Sequence, residues 1–382
     1  MSSGMNMHYD VIIIGAGPAG SAAATALARQ GRSVLLLEKA AHPRHKSCGG
    51  GLSARLLPYL DADLKEIVER EVRKVVFLLR KKEVSGSSAE PVAYLVRRDR
   101  FDAYLAEKAR KAGAEIVENC PVRDWRETPE GVEVQSRRGP DTASFLMGAD
   151  GAAGRVARKL HPDWKKHLAF ALETEVPLRN KEEAVWIDLA VPRGYGWIFP
   201  KENGAAIGVA DFKGKVPKPQ ALYSDFLGRH PLSSEAGSVP PNGCTIPIYR
   251  SAAPPLVKGR VLLIGDAGGL VDPLFGEGIF YAVRSGQMAA EAIGAAFAGR
   301  GEATSYDRAV RETFYPDFER AARMAKWIYA FPGLYLEAIR LHPGAVDLYL
   351  GILRGERTYC QFWKEVQWAF VRKFIPFKNT AG

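Results

Sequence analysis

The chain has 382 residues, 47% of them hydrophobic, and its 53 Lys and Arg against 43 Asp and Glu give a net charge of +10. That length implies more than one domain, while the basic excess, scattered without an arm or block, reads either as a merely soluble basic surface or as one suited to anionic lipid, an acidic electron-donor protein or a phosphorylated substrate, with no nucleic-acid partner expected. Four cysteines (Cys48, Cys120, Cys244 and Cys360) without CxxC or paired spacing argue against a disulfide framework or zinc site, and with no basic leader and no apolar run of about 18 residues, a cytoplasmic protein without a membrane span is expected.

Residues 8–40 read as a βαβ unit. Val11-Ile-Ile-Ile14 runs into Gly15-Ala-Gly17-Pro-Ala19-Gly20, an Ala-rich stretch follows, and Leu35-Leu-Leu37 ends in Glu38. Gly15 permits the sharp strand-to-helix turn, Gly17 lets backbone approach a pyrophosphate, and Gly20 lets the helix pack on the strand. Glu38 lies 23 positions after Gly15, where a carboxylate can accept from ribose hydroxyls. G-x-G-x-x-G alone is a weak signal. Here strand, helix, second strand and terminal acid are all in register, so an adenine dinucleotide is expected.

Residues 41–58 form a Gly-rich basic loop, His42-Pro-Arg44-His45-Lys46-Ser-Cys48-Gly49-Gly50-Gly51. Residues 72–80 and 92–97 predict strands. Phe101, Tyr104, Leu105 and Ala109 share a face, which predicts a helix over 100–112 ended by Gly113. Strands are predicted over 115–117, 131–136 and 143–146. Segments 168–176, 184–191, 195–200 and 205–212 predict a separate antiparallel sheet, followed by a loop over 213–219. Val261 to Ile264 is an apolar buried strand, 278–298 a small-residue helix, and the chain beyond 305 is helical and rich in aromatics. The expected class is α/β: a Rossmann-type dinucleotide-binding domain with an inserted antiparallel-sheet substrate domain and a C-terminal helical region. The expected parts are a discontinuous dinucleotide domain (7–70, 98–165 and 245–300), a substrate sheet (71–97 and 166–244) and the helical region (301–382).

Three segments select flavin over nicotinamide as the tightly held cofactor. Met147-Gly-Ala-Asp150-Gly151 is a strand ending in Ala-Asp-Gly. Arg260-Val-Leu-Leu-Ile-Gly265-Asp266 places an acid where a sugar-alcohol chain would cross. Pro273-Leu-Phe-Gly276-Glu277-Gly278-Ile279 is a Gly-rich turn into a helix, whose N-terminus can stabilise an anionic reduced ring.

Together with Arg98-Asp-Arg-Phe101-Asp102, these motifs resemble the p-hydroxybenzoate-hydroxylase-type flavoprotein fold over residues 8–300. Within that fold, Lys46-Ser-Cys48-Gly49-Gly50-Gly51 and Tyr195-Gly-Trp197-Ile-Phe199-Pro200 resemble the geranylgeranyl reductase family, whose Tyr-x-Trp-x-Phe-Pro strand lies over the substrate cavity. The resemblance implies an FAD-dependent reductase that saturates isolated C=C bonds of polyprenyl (geranylgeranyl) chains of archaeal lipids, chlorophyll precursors or quinones. It implies cofactor contacts at Gly15, Gly17, Ala19, Gly20, Glu38, Lys39, Arg44, Gly49, Arg98, Asp150, Gly151, Gly265, Asp266, Pro273, Gly276, Glu277, Gly278 and Ile279. Where many relatives of the fold carry Asp-Gly-x-x-Ser, this chain has Asp150-Gly151-Ala-Ala-Gly154, which predicts a weakened local cap.

Catalytic candidates are Cys48, Tyr195 and Trp197. Cys48, on a loop flanked by His and Lys, reads either as a packed loop thiol or as a group that donates a proton, shapes the cavity or gates flavin motion. Tyr195 and Trp197 share one strand face, either as sheet core or as the wall of an apolar tunnel. Arg44 and Lys46 read as cofactor contacts or a solvated loop, and Arg98 as a flavin contact or an ion pair with Asp102. His42, His45 and His161 lack ligand spacing, so no metal is expected. Trp363, Val366, Phe370 and Phe374 form a stripe that either packs on the body or lies in a membrane interface. The substrate expected is a prenylated lipid or prenyl diphosphate, and the reductant NAD(P)H or a ferredoxin-type protein. A flavin monooxygenase or halogenase, and a flavoprotein that only binds or carries lipid, are the competing readings.

Overall fold

The computed structural model describes residues 8–163, 168–177, 184–212, 218–230, 239–251, 253–342 and 344–374, with 368–374 as backbone alone. The chain opens with β1 (His8–Ile14), α1 (Pro18–Arg29) and β2 (Val34–Leu37), and β1 and β2 run parallel from Val11↔Val34 to Ile14↔Leu37. All of β2 and most of β1 are buried because helices cover both faces of this sheet, as parallel strands require.

The expected loop over 41–58 is interrupted. Residues 51–53 form β3 (Gly51–Ser53), and residues 54–59 a short 3-10 turn. Next come β4 (Val68–Val72), β5 (Lys74–Leu79), β6 (Lys82–Ser87), β7 (Ala93–Val96) and α2 (Arg98–Lys111). β8 (Glu115–Val117) is followed by β9 (Val122–Glu127), which has no legible alternation because Trp125 is its one buried side chain. β10 (Val132–Ser136), β11 (Gly139–Gly148) and α3 (Arg155–Leu160) complete this part.

The remaining strands are β12 (Ala169–Val176), β13 (Ala184–Asp188), β14 (Gly194–Pro200), β15 (Ala205–Asp211), β16 (Asn242–Ile246), β17 (Val257–Lys258) and β18 (Val261–Leu263). Between β15 and β16 lies α4 (Pro219–Arg229), whose fully buried stripe is only Tyr223 and Phe226, too narrow a signal to read from sequence. The chain closes with α5 (Ile279–Phe297), α6 (Ser305–Thr313), α7 (Tyr315–Ala330), α8 (Pro332–Leu341), α9 (Gly344–Arg354) and α10 (Tyr359–Phe374). The 213–217 part of the expected loop lies outside the described residues.

The first sheet has the order β17-β18-β11-β1-β2-β8, with β10 and β9 added antiparallel beside β11. Its five central strands, β18 to β8, are parallel. α5 lies on α1 at close range: a Cβ on Gly286 would sit 2.3 Å from the Ala19 carbonyl oxygen. The second sheet has the order β16-β12-β15-β14-β13-β5-β6. It is antiparallel except where β13 meets β5, parallel from Ala184↔Lys74 to Asp188↔Leu78. β5 arrives from far upstream, so no hairpin imposes antiparallel pairing there. β3, β7 and β4 make a small sheet of their own.

The second sheet is covered on both faces. Val75, Phe77, Ile187, Tyr195 and Trp197 pack toward α7 to α10, while Val76, Trp186, Ile198 and Ile207 pack toward α4. The result is the expected α/β architecture, a Rossmann-type sheet joined to a second sheet with helices at the C-terminal end.

Candidate functional site

Gly15 has φ +105°, and a Cβ there would lie 2.4 Å from the Ala149 carbonyl oxygen, so glycine is required where β1 and β11 end together. A Cβ on Gly20 would lie 1.9 Å from the Gly15 carbonyl oxygen, which seats α1 directly on the turn. No side chain caps the first N–H groups of α1, and Gly17, Pro18 and Ala19 line the cavity beside it. Free N–H groups and the positive end of the helix suit a pyrophosphate.

Glu38, 3% exposed, accepts from the Ala16 N–H at 2.8 Å and the Ala40 N–H at 3.1 Å. It braces the glycine turn and keeps lone pairs for ribose hydroxyls. Arg44 links this acid to the next layer, with Nε 3.6 Å from Glu38 and Nη2 3.3 Å from Asp102. Fully buried Asp102 also holds Arg98 bidentately at 2.9 and 3.1 Å. Burial works against the Arg98 charge, but Asp102 and Cys48 outweigh it and hold the guanidinium above its ordinary pKa.

A single cavity of about 960 Å³ joins these groups to Asp266, Gly276, Glu277, Gly278 and Ile279 at the head of α5. It is at the upper end of ordinary ligand pockets. The first N–H groups of α5 also lack a side-chain cap. Two uncapped helix ends and a buried acid on one cavity fit FAD: α1 for the pyrophosphate, Glu38 for the ribose, α5 for the flavin ring.

Lys39, Arg44, Gly49, Arg98, Asp150 and Gly151 also line this cavity, whereas Gly20, Gly265 and Pro273 do not. Gly20 and Gly265 act from behind it, since a Cβ on Gly265 would lie 2.8 Å from Ala19 Cβ. Asp150 caps α3 by accepting from the Val156 N–H at 2.9 Å, and burial pushes its pKa up. A Cβ on Gly154 would lie 2.0 Å from Asp150 Oδ1, so the glycine makes room for the acid. Gly154, the N-cap residue of α3, makes no side-chain cap bond, as expected from the missing hydroxyl, and Asp150 supplies the bond to the Val156 N–H. Glu277 likewise faces the cavity but commits its carboxylate to Arg55 and to the Ser53 hydroxyl.

Beyond the Cys48 loop the cavity becomes an apolar chamber walled by Val75, Val185, Ile187, Phe275, Tyr349 and Leu353. Tyr195 and Trp197 pack against each other in it with ring centroids 5.8 Å apart and planes tilted by 55°. The Tyr195 hydroxyl donates to the Phe275 carbonyl, and burial pushes its pKa up. The Trp197 indole occupies the space over Gly208 of β15, where a Cβ would come within 2.2 Å of it. The Phe199 ring abuts the loop, 2.6 Å from where a Cβ on Gly49 would sit. Cys48, half-buried, donates its N–H to Glu173 Oε1 at 2.7 Å, and its sulfur accepts from the Gly50 N–H at 3.4 Å. The structure therefore brings Cys48, Tyr195 and Trp197 to one chamber, alongside the dinucleotide cleft.

Sequence reasoning does not find Glu173, Lys201 or the wall from α9. Glu173 reads as a polar residue in a strand, and only the register of β12 turns it inward. Lys201 is buried against the Val96 carbonyl, and burial pushes its pKa down. Phe362, Trp363 and Val366 of α10 pack on the body, while the side chains of Phe370 and Phe374 lie outside the described residues. Among the described residues there is no cluster of His, Cys, Asp and Glu able to hold a metal ion.

The family described as FAD binding domain matches residues 8–185. The geranylgeranyl diphosphate reductase of Oryza sativa is 33% identical over 309 residues, 74% of this chain and 66% of the relative. The digeranylgeranylglycerophospholipid reductase 1 of Methanopyrus kandleri is 31% identical over 322 residues, 75% of this chain and 80% of the relative. A geranylgeranyl bacteriochlorophyll reductase-like protein of Thermoplasma acidophilum shares the fold with a TM-score of 0.80 at 22% identity, covering 94% of this chain and 98% of that one. A flavin-dependent brominase shares it with a TM-score of 0.74 at 22% identity, covering 96% of this chain and 100% of that one.

Proposed function

Because this chain belongs to the geranylgeranyl reductase family of FAD-dependent oxidoreductases, we propose that it saturates isolated C=C bonds in the polyprenyl chain of a lipid or prenyl diphosphate. The observation that carries this reading is the apolar chamber opening directly off the dinucleotide cleft. A prenyl chain offers no hydrogen-bonding groups, so it is recognised by shape and burial. An unactivated alkene also has no carbonyl to polarise, which makes alignment and water exclusion the main demands. Reduced FAD supplies the hydride. Tyr195, Trp197 and Phe199 form the aromatic wall against which the chain aligns, the second sheet is the substrate-binding layer, and the Cys48–Gly51 loop separates chamber from cleft. The reductant is NAD(P)H or a ferredoxin-type acidic protein; no second G-x-G-x-x-G occurs in the sequence to hold a nicotinamide.

The test is anaerobic. Protein reduced with dithionite and incubated with geranylgeranyl diphosphate, or with a prenylated glycerolipid or quinone, should yield lipid heavier by two hydrogens or multiples of two. Intact lipid beside fully reduced flavin, with a hydroperoxyflavin on admitting air, would replace this reading with a monooxygenase or halogenase.

A lipid substrate implies access from a bilayer. Among the described residues no helix is long and apolar enough to cross a membrane. At the α7–α8 corner, however, Trp327, Phe331, Leu334 and Leu341 are 40, 57, 59 and 61% exposed. Phe331, Leu334 and Leu341 recur at helical spacing, and exposed Arg80, Lys81, Lys82, Lys326 and Arg340 lie on the same two helices or on the β5–β6 turn that Lys82 ties to Glu337 of α8 at 2.7 Å. An apolar ridge with basic neighbours suits peripheral docking on an anionic bilayer. The protein should sediment with vesicles containing phosphatidylglycerol, and Phe331→Ser with Leu334→Ser should release it. Unchanged sedimentation of the double variant would move the contact elsewhere.

A further inference from the structure

Besides the Cys48 thiol, the chamber holds a second group able to supply the proton that the reduction requires. Hydride addition to an alkene needs a proton for the other carbon, and the chamber is walled largely by apolar side chains. Glu173 stands in that wall. The register of the second sheet puts it in one row with Gly208 and Trp197. Gly208 has no side chain, so the indole lies across the row toward Glu173. Glu173 is 3% exposed. Its Oε1 is anchored by the Cys48 N–H at 2.7 Å. Its Oε2 is buried and has no hydrogen-bond partner among the described residues, and the same holds for Trp197 Nε1. Glu173 bonds the Cys48 N–H, and Trp197 Nε1 would lie 3.4 Å from a Cβ on Gly49. A buried carboxylate oxygen without a donor is costly, so burial favours the neutral carboxylic acid, which still carries a proton to donate at neutral pH.

We propose that Glu173 is the acid of this site, a neutral carboxylic acid whose proton goes to the alkene carbon that does not receive hydride. The proposal rests on the prenyl-reductase reading above. The π bond is replaced by two C–H bonds, one from the hydride of reduced FAD and one from Glu173. FAD is left oxidised and Glu173 ionised, and water reprotonates the carboxylate.

The surroundings suit both halves of that cycle. Burial pushes the Glu173 pKa up to about 7, against the Cys48 N–H bond and the Lys201 charge, with Glu175 adding to the rise and Arg98 opposing it. Cys48, Tyr195 from β14, Cys244 from β16 and Tyr223 from α4 are further titratable residues near it. Lys201 and Arg98 are the cations that stabilise the carboxylate once the proton has left. Asp272 is also fully buried and pushed up to about 6 by burial, but its Oδ1 holds the Leu274 and Phe275 N–H groups and it does not line the cavity.

Glu173→Gln keeps the shape and the Cys48 bond but carries no acidic proton. In wild-type protein as purified, infrared difference spectra against this variant should show a protonated carboxyl band at pH 6 that titrates near 7. The folded protein then holds one more proton here than the unfolded chain between pH 4.5 and 7, so wild-type stability falls as pH rises through that window. The variant should lose that slope. In single turnover with geranylgeranyl diphosphate, the variant should be slower by a factor of about 100 or more and flat in pH, whereas the wild type declines above pH 7. Glu173→Asp should restore part of the rate and the pH dependence. A carboxyl already ionised at pH 6, or a variant as fast as wild type, overturns the assignment. A wild type that reduces no prenyl chain but shows the carboxyl band would instead overturn the prenyl-reductase reading.

Discussion

Arg55→Ala should lower the stability of the folded protein by roughly 3–5 kcal/mol, the cost of leaving one member of a buried ion pair alone. The Arg55 guanidinium bonds Glu277, lies 3.2 Å from the Tyr281 hydroxyl and sits over the Phe280 ring at 4.2 Å. Ser53 donates to the other Glu277 oxygen. The two side chains are only 10 and 16% exposed. Burial opposes the Arg55 charge, yet Glu277 holds its pKa well above the ordinary value. Without Arg55 the carboxylate is stranded beside the head of α5, the end we propose would face the flavin ring. Flavin content should therefore fall with stability. Denaturant melts with a flavin assay check both. Arg55→Met with Glu277→Leu should recover most of the lost stability, because no charge is then left buried. A loss below about 1 kcal/mol in the single variant would mean that the pair is solvated and not structural.

That ion pair also marks where sequence reasoning stopped. The dinucleotide half was legible because its signals are local: a turn that only Gly15 can make, an apolar β2 and an acid one residue later. Glu277 belonged to an equally clear motif, yet its partner Arg55 stands 222 positions away on a stretch that reads as loop. Glu173 was hidden for the same reason. A glutamate in a strand is ordinarily solvent-facing, and here it turns inward only because β15 and β16 flank β12 and α4 covers the reverse face. The parallel contact of β13 with β5 and the chamber wall from α9 are likewise products of chain segments distant in sequence. The Tyr195 and Trp197 alternation was readable, but what it faces was not. Gly154 is the local counterpart: its missing hydroxyl predicts a weakened cap, and the N-cap of α3 carries no side-chain bond, while the Asp150 bond to the Val156 N–H is not legible in the sequence.

Ala171→Phe should reduce turnover of geranylgeranyl diphosphate by about a hundredfold in kcat/KM while leaving flavin content unchanged. Ala171 is 1% exposed, lines the chamber and shares a row of the second sheet with Ala210 and Tyr195. The row is small-small-large, so the Tyr195 ring has room beside two alanines and the chamber keeps its depth. A phenylalanine at 171 would fill that depth from the β12 side, far from α1, Glu38 and the pyrophosphate end of the cleft. Overpacking is expected to cost about 1–3 kcal/mol of stability, less than breaking the Arg55 pair. The informative comparison is chain length. A geranyl diphosphate, which needs less depth, should lose much less activity than the geranylgeranyl compound, so the ratio between the two should shift toward the shorter chain. Equal losses for both would indicate a distorted sheet, and no loss for either would place the prenyl chain outside this chamber. Only a shift in that ratio, read beside an unchanged flavin spectrum, ties the depth of the apolar chamber to the length of the chain it aligns.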